Sequence, residues 1–297
     1  MSNKTARFGV LTLATPNDYL KAIGLALSMR VSNPDVPTAI ACSPKLRPLV
    51  EPYFDHVIDE KPHLRGFVHK VYLDHYSPFD ETMFFDSDVL VFKPLAPYID
   101  SWGPGPYHAC GGYNADGVSP FGLDRKAVLA KIGKRELVVI DGAGHAHFRK
   151  PDCARVFDLA REITADYESY AGDIKYADED VIDIALTMLE LPPAPYDDFF
   201  ARYLSAVPGT MEMDAAAGKC RFIAANSGQP FEPCMVHFAA NEGPVAYAWQ
   251  LYKLFRKFGV PTGGLVGLAA GDIFETKIKW RASNALAAMR ASTRRAA

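Results

Sequence analysis

Along the first sixty positions, short apolar runs alternate with stripes at helical spacing. Residues 7–14 (RFGVLTLA) have strand composition and end in the turn signal TPNDY. Leu20, Ile23 and Leu27 then recur at helical spacing within LKAIGLALSMRVS. VPTAIACS is a second short apolar run, KLRPLVEPYF a helix broken by proline, and HVIDE a third strand. This β-α-β-α-β order predicts an open α/β sheet that binds ligands at the carboxyl ends of its strands.

RGFVHKVYLDHY has a helical pattern and runs into TMFFDSDVLVFKPL, residues 82–95. There Asp86 and Asp88 interrupt an apolar run, and buried charge is costly unless compensated. The 101–124 stretch is dense in Gly and Pro and reads as a long loop of functional or mobile character. Residues 152–169 and 178–190 are helical in pattern, and LPPAP stops the second. CRFIAA and CMVHFAA are late strand candidates. No internal repeat is visible.

Length and composition narrow the class. The 297 residues suit one large α/β domain or two ordinary ones. An apolar share of 49 % supports a packed core, and a net charge of −3 lacks the basic footprint of a nucleic-acid binder. The cysteines at 42, 110, 153, 220 and 234 form no CxxC pair, which suggests a reducing, cytoplasmic setting. No stretch is apolar for the ~18 residues a membrane span needs. The tail differs: residues 275–297 carry six basic residues and one acid, a net of +5, which leaves −8 on the rest. Phe274, Ile278, Ala282, Ala285, Leu286 and Met289 fall on one helical stripe there. Such a basic amphipathic helix suits either peripheral contact with an anionic membrane face or docking on its own domain.

Three occupants fit the gap between the two acids. Strand alternation would put Asp86 and Asp88 on one side, with Ser87 facing away. Two hard oxygen ligands at a strand end suit Mg²⁺ or Mn²⁺, which also bind substrate phosphates. A hydrogen-bonded turn is the second possibility. The third is a phosphoenzyme, because MFFDSDVLV resembles the haloacid-dehalogenase phosphatase hallmark, with Asp86 as nucleophile. That hallmark normally lies on a fold's first strand, whereas three strand-like segments precede it here.

Four stretches together resemble family 8 glycosyltransferases of the GT-A fold, the group that includes glycogenin and bacterial lipopolysaccharide hexosyltransferases. VLTLATPNDYLKAIGLALSMR resembles the family's opening strand, uridine loop and helix, with Leu13, Ala14, Thr15 and Tyr19 at the nucleotide-holding positions. HKVYLDHYSPFDETMFFDSDVLVFKPL places Lys70 where a lysine reaches the donor, and Asp86, Ser87 and Asp88 on the DxD. KYADEDVIDIAL matches an Asp-Gln pair on the sugar side, with Asp178 retained and Glu179 replacing Gln. VHFAANEGPVAY is similar to HxxGxxKPW: His237 falls on the third metal ligand. Ala240 replaces the Gly, Gly243 the diphosphate-binding Lys and Val245 the Trp, while Pro244 is kept. Lys253, Arg256 or a residue of the 101–150 region could supply the missing cation. Asp141 and Gly142 stand nearest to the family's Asn-Ser-Gly turn.

The resemblance implies a Rossmann-like, mixed but mostly parallel central sheet flanked by helices. It implies one catalytic domain over 1–258, with a nucleotide part near 1–100 and a sugar and acceptor part near 101–258. Residues 259–297 are expected to form a C-terminal extension with a basic amphipathic helix. The implied activity is Mn²⁺-dependent hexose transfer from a UDP-sugar to an unidentified acceptor, with retention of configuration. Asp178 and Lys70 are the implied catalytic residues, and Asp178 either attacks transiently or only positions the sugar. The substitution at Gly243 also keeps open a non-catalytic nucleotide-sugar binder on the same fold.

Overall fold

The computed structural model describes residues 8–141 and 144–275. Gly142 and the basic amphipathic stretch beyond residue 275 lie outside the described residues. The opening pattern forms as expected. Strands β1 (Phe8–Ala14), β2 (Thr38–Cys42) and β3 (His56–Asp59) pair in parallel, and β4 (Glu81–Phe85) joins the other side of β1, also in parallel. Every residue of β2 is buried, as expected of a strand covered on both faces.

The DxD stretch then turns from β4 into β5 (Val89–Val91). The Gly/Pro-rich 101–124 segment is not one loop, which corrects the sequence expectation. It contains β6 (Tyr107–His108) and β7 (Gly111–Asn114), and β7 pairs with β8 (Leu137–Ile140). A side chain at Gly111 would lie 2.3 Å from the Val139 carbonyl oxygen, so the glycine lets the two backbones approach. β9 (His145–Arg149) inserts antiparallel between β4 and β6, giving the order β3-β2-β1-β4-β9-β6.

A second layer carries the far end of the site. β10 (Phe200–Arg202) leads to a small antiparallel sheet of β11 (Glu212–Asp214), β12 (Lys219–Ile223) and β13 (Pro230–Phe231). β14 (Met235–His237) then pairs in parallel with β10 and antiparallel with β5, setting His237 between Arg202 and Val89. The helix Tyr19–Ser32 packs against β5 and against the helix Pro244–Phe258. Gly24 makes the helix crossing close, because a Cβ there would sit 2.1 Å from Leu251 Cδ2. The helix Leu265–Ile273 packs on 244–258. Among the described residues, no helix is long and apolar enough to cross a membrane.

Candidate metal and donor site

Asp86 and Asp88 lie in the link between two buried strands, not within a strand. The Val89 N–H donates to the Asp86 carbonyl at 3.2 Å, and the Asp86 N–H to the Gly144 carbonyl at 2.9 Å. A turn therefore aligns the acids, which corrects the expectation of strand alternation. A sheet strand covered on both faces has no place for two carboxylates, so the chain turns where they reach a cleft. Ser87, expected to face away, lines that same cleft.

His237 completes the cluster from β14. Its Nε2 lies 3.1 Å from Asp88 Oδ1 and 3.8 Å from Asp86 Oδ2. One ligand atom from each of the three residues falls within 4.8 Å of the others. Two carboxylate oxygens and one imidazole nitrogen, gathered in this way, fit Mn²⁺ or Mg²⁺ in donor type and spacing. Burial pulls the His237 imidazole down, but Asp88 and Asp86 outweigh it and leave it raised. Burial pushes Asp88 up, yet His237 holds it below the usual carboxylate range. At Asp86 burial wins over Lys70 and His237, and the carboxyl is raised.

Lys70 joins the two acidic walls. Its Nζ lies 2.9 Å from Asp86 Oδ1 and 3.1 Å from Asp178 Oδ2. Burial alone would pull this ammonium down, and the two carboxylates hold it up instead. Asp178 opens the helix Asp178–Met188, followed in the first turn by Glu179 and Asp180, where the helix dipole favours acids. Burial, then Asp178, Asp180 and Asp141, push the Glu179 carboxyl up to about 7. Asp141 stands at the end of β8, raised by burial and opposed by the charges of Arg202 and His237. Tyr196 hydrogen-bonds its side chain. Arg202 is itself ion-paired with Glu242.

A cleft of about 630 Å³ opens at the carboxyl end of β1. Leu13, Ala14 and Thr15 line it, with Lys70, Asp86 and Asp88 at its acidic end. The Thr15 N–H and hydroxyl both donate to Asp18 Oδ1, which fixes the loop. Tyr19 does not join this wall. It starts the helix and packs against two apolar clusters. Phe67, which no local pattern singles out, lines the cleft instead and is 49 % exposed. Its ring centroid lies 5.6 Å from Lys70 Nζ.

The 239–243 loop explains the altered C-terminal motif. Ala240 adopts φ 51°, the left-handed conformation that a glycine at this position would take freely. Gly243 has φ 54°, and a Cβ there would meet the Tyr203 ring at 2.3 Å. Tyr203 thus fills the space of any side chain at 243. Lys253 contacts the Met213 carbonyl and Asp214, and Arg256 is exposed at the far end of its helix. Sequence reasoning missed Lys21, which is buried against the loop: its Nζ donates to Asn241 Oδ1 at 2.6 Å and pairs with Asp272 at 3.1 Å. Its charge also helps to keep Asp88 ionised.

No family model and no curated protein sequence matches the chain. Solved structures do. A bifunctional glycosyltransferase, WbbM, matches with a TM-score of 0.54 at 13 % identity, over 86 % of this chain and 52 % of that one. The chain therefore spans about half of WbbM. An active-site mutant of LgtC matches with a TM-score of 0.54 at 17 % identity, over 84 % of this chain and 95 % of that one. The galactosyltransferase LgtC with donor and acceptor sugar analogues matches with a TM-score of 0.51 at 17 % identity, over 92 % and 99 %. The central mixed sheet flanked by helices is the GT-A glycosyltransferase fold.

Proposed function

We propose that the protein is a retaining glycosyltransferase of the family 8 type, moving a hexose from a UDP-sugar to a carbohydrate, lipid-linked or protein acceptor. The observation that carries this reading is the meeting of Asp86 and Asp88 with the distant His237 at the head of a cleft walled by β1. Residues 1–258 form the catalytic unit in this reading, and 259–297 an extension. The phosphatase alternative has less support: Asp86 follows the fourth strand in chain order, and the matching folds are glycosyltransferases.

Leu13, Ala14 and Thr15 hold the uridine end of the donor, with Phe67 on that wall in place of Tyr19, and Ser87, Asp141, Gly142 and Glu179 hold its sugar end. A divalent ion bound by Asp86, Asp88 and His237 supplies Lewis-acid stabilisation of the diphosphate. The bond from the anomeric carbon to the diphosphate oxygen breaks, and UDP leaves with the electron pair. The acceptor hydroxyl oxygen bonds to the anomeric carbon on the same face and gives its proton to the departing diphosphate oxygen. Lys70 offers charge stabilisation that grows as the leaving oxygen becomes anionic. Asp178 is already paired with Lys70, which favours a positioning role over nucleophilic attack. Lys21 takes the place of the cation absent at 243. The protein works in the cytoplasm, with the tail from 275 onwards contacting the inner face of a membrane.

Thermal shifts with UDP, ADP and phosphate, each with and without Mn²⁺, test the reading. UDP is expected to stabilise the protein only when Mn²⁺ is present. No UDP effect, together with phosphate release from simple monoesters, would overturn it. A panel of UDP-sugars assayed for free UDP then separates an enzyme from a binder and identifies the sugar.

A further inference from the structure

Tyr196 is an exposed aromatic residue that the transfer chemistry leaves unused, and it stands on the sugar side of the site. Its hydroxyl donates to the Asp141 side chain, and the charge of Glu179 also bears on that hydroxyl. Its ring meets the Phe200 ring at 6.4 Å, and Phe200 meets the His237 ring at 6.4 Å. Two ring contacts therefore lead from the third metal-type ligand to Tyr196, which is 41 % exposed. A tyrosine kept only for packing turns its ring inward, as Tyr167 and Tyr247 do.

The chain builds a stiff mount for this ring. Pro192, Pro193 and Pro195 precede it, each with a fixed φ. The Ala194 N–H donates to the Ala109 carbonyl at 2.8 Å, and the Gly111 N–H to the Ala194 carbonyl at 3.2 Å. Cys110 Sγ reaches the Pro195 carbonyl at 3.3 Å. After the ring, Asp197 takes a left-handed φ of 40°, and the Phe199 N–H closes the turn on the Tyr196 carbonyl at 3.0 Å. Non-glycine residues in that conformation collect at ligand-contacting positions. An exposed ring on such a mount has only its two side-chain torsions to lose on binding.

Charge and shape select the ligand. Asp141 and Glu179 lie near the ring and the exposed Asp197 follows it, while the nearby cation, Arg202, is paired with Glu242. An anionic ligand is repelled here. An acyl chain would desolvate the carboxylates and return no hydrogen bond. A neutral pyranose meets both conditions: its apolar C–H face lies on the flat ring, and its hydroxyls donate to carboxylates.

We propose that Tyr196 is the acceptor platform of the site, stacking on the C–H face of a neutral hexopyranose whose hydroxyls donate to the carboxylates beside the ring. The proposal rests on the glycosyl-transfer reading and narrows its acceptor: the unit that receives the hexose is a sugar ring, whatever carries it.

The test is saturation-transfer NMR of the full chain with UDP and Mg²⁺, using methyl glucopyranosides, methyl galactopyranosides and a methyl glucuronide as probes. A neutral glycoside is expected to bind, with saturation strongest on the C–H protons of one ring face, and the glucuronide is expected not to bind. Tyr196→Ala is expected to weaken binding at least ~tenfold, and Tyr196→Phe, which keeps the ring, to bind within ~threefold of the parent. Both variants are expected to keep the parent's melting temperature and its thermal shift with UDP, which carries no hexose. Three results overturn the platform and leave the transfer reading in place: undiminished binding by Tyr196→Ala, uniform saturation of the glycoside, or no neutral glycoside bound while the UDP shift is present. A glucuronide that binds as tightly as the neutral sugars overturns it as well. Absence of the UDP shift in the parent overturns the transfer reading itself, and the platform with it.

Discussion

The acidic cleft is balanced by a few cations, and single substitutions show how. Asp88 has His237 as its near partner and donates one of the three metal-type ligands. Asp88→Asn keeps the shape and removes the charge, so Mn²⁺-dependent stabilisation by UDP is expected to disappear, read as a lost thermal shift. Glu179 offers a test through pH. Its carboxyl is raised to about 7, first by burial and then by three neighbouring acids. The folded state therefore keeps the proton that the unfolded chain releases near ~4.3. Stability from the neutral form is complete below that value and is lost as pH rises through about 7. Glu179→Gln removes this loss. The variant is expected to be more stable than the parent at pH 8, on the order of 2–3 kcal/mol, with little difference at pH 4. Urea denaturation at both values measures it, and a pH-independent difference would show that the acid is not held neutral.

At the scale of elements, the 239–243 loop is a strained hinge between β14 and the helix that follows. Ala240 and Asn241 have φ of 51° and 58°. An alanine in this region costs roughly 1–2 kcal/mol, so Ala240→Gly is expected to stabilise the protein by about 1 kcal/mol in urea midpoints. Gly243→Lys is expected to fail as a repair. The Tyr203 ring occupies the Cβ position, so the variant melts lower and releases no more UDP. The charge to remove is Lys21, together with its partner so that no buried acid is stranded. Lys21→Met with Asp272→Asn is expected to melt near the parent temperature and to lose ~10- to 100-fold in UDP-sugar turnover. Retained turnover would return the cation question to Arg202, the neighbour of His237 across the sheet. These elements also show what a sequence displays. β1, the first helix and β2 were legible because each buries a simple apolar pattern, and the DxD was legible as a burial conflict. β9 was hidden because its alternation reads as His145, His147 and Arg149 on one face, and the fold nevertheless buries both histidines. The Lys70–Asp178 pair and the Lys21 contacts join residues far apart in the chain, and periodicity carries no record of such meetings.

Across the whole molecule, the buried histidines of the central sheet bear on its stability to acid. His145 Nε2 accepts the Cys110 N–H at 2.9 Å, His147 stacks on His108, and His147 Nε2 meets Glu81 at 2.9 Å. Burial holds His108 and His147 down to about 4 and His145 down to about 3. An unfolded histidine protonates near ~6.5, so below that pH the unfolded state binds protons that the folded sheet refuses. The stabilising contribution is therefore complete above ~6.5, declines as pH falls, and levels off near the folded values. Each unit of that difference is worth ~1.4 kcal/mol, and three histidines can remove much of a 5–15 kcal/mol stability, roughly, by pH 4.5. The raised carboxyls of Glu179 and Asp183 act in the opposite direction, so the absolute curve mixes both. A difference separates them. His145→Gln keeps an acceptor for the Cys110 N–H and removes the titrating group. Its deficit against the parent at pH 7 is expected to shrink by ~2 kcal/mol at pH 4.5 in urea denaturation. A deficit that stays constant with pH would mean that His145 contributes packing alone, and that acid unfolding of this sheet begins elsewhere.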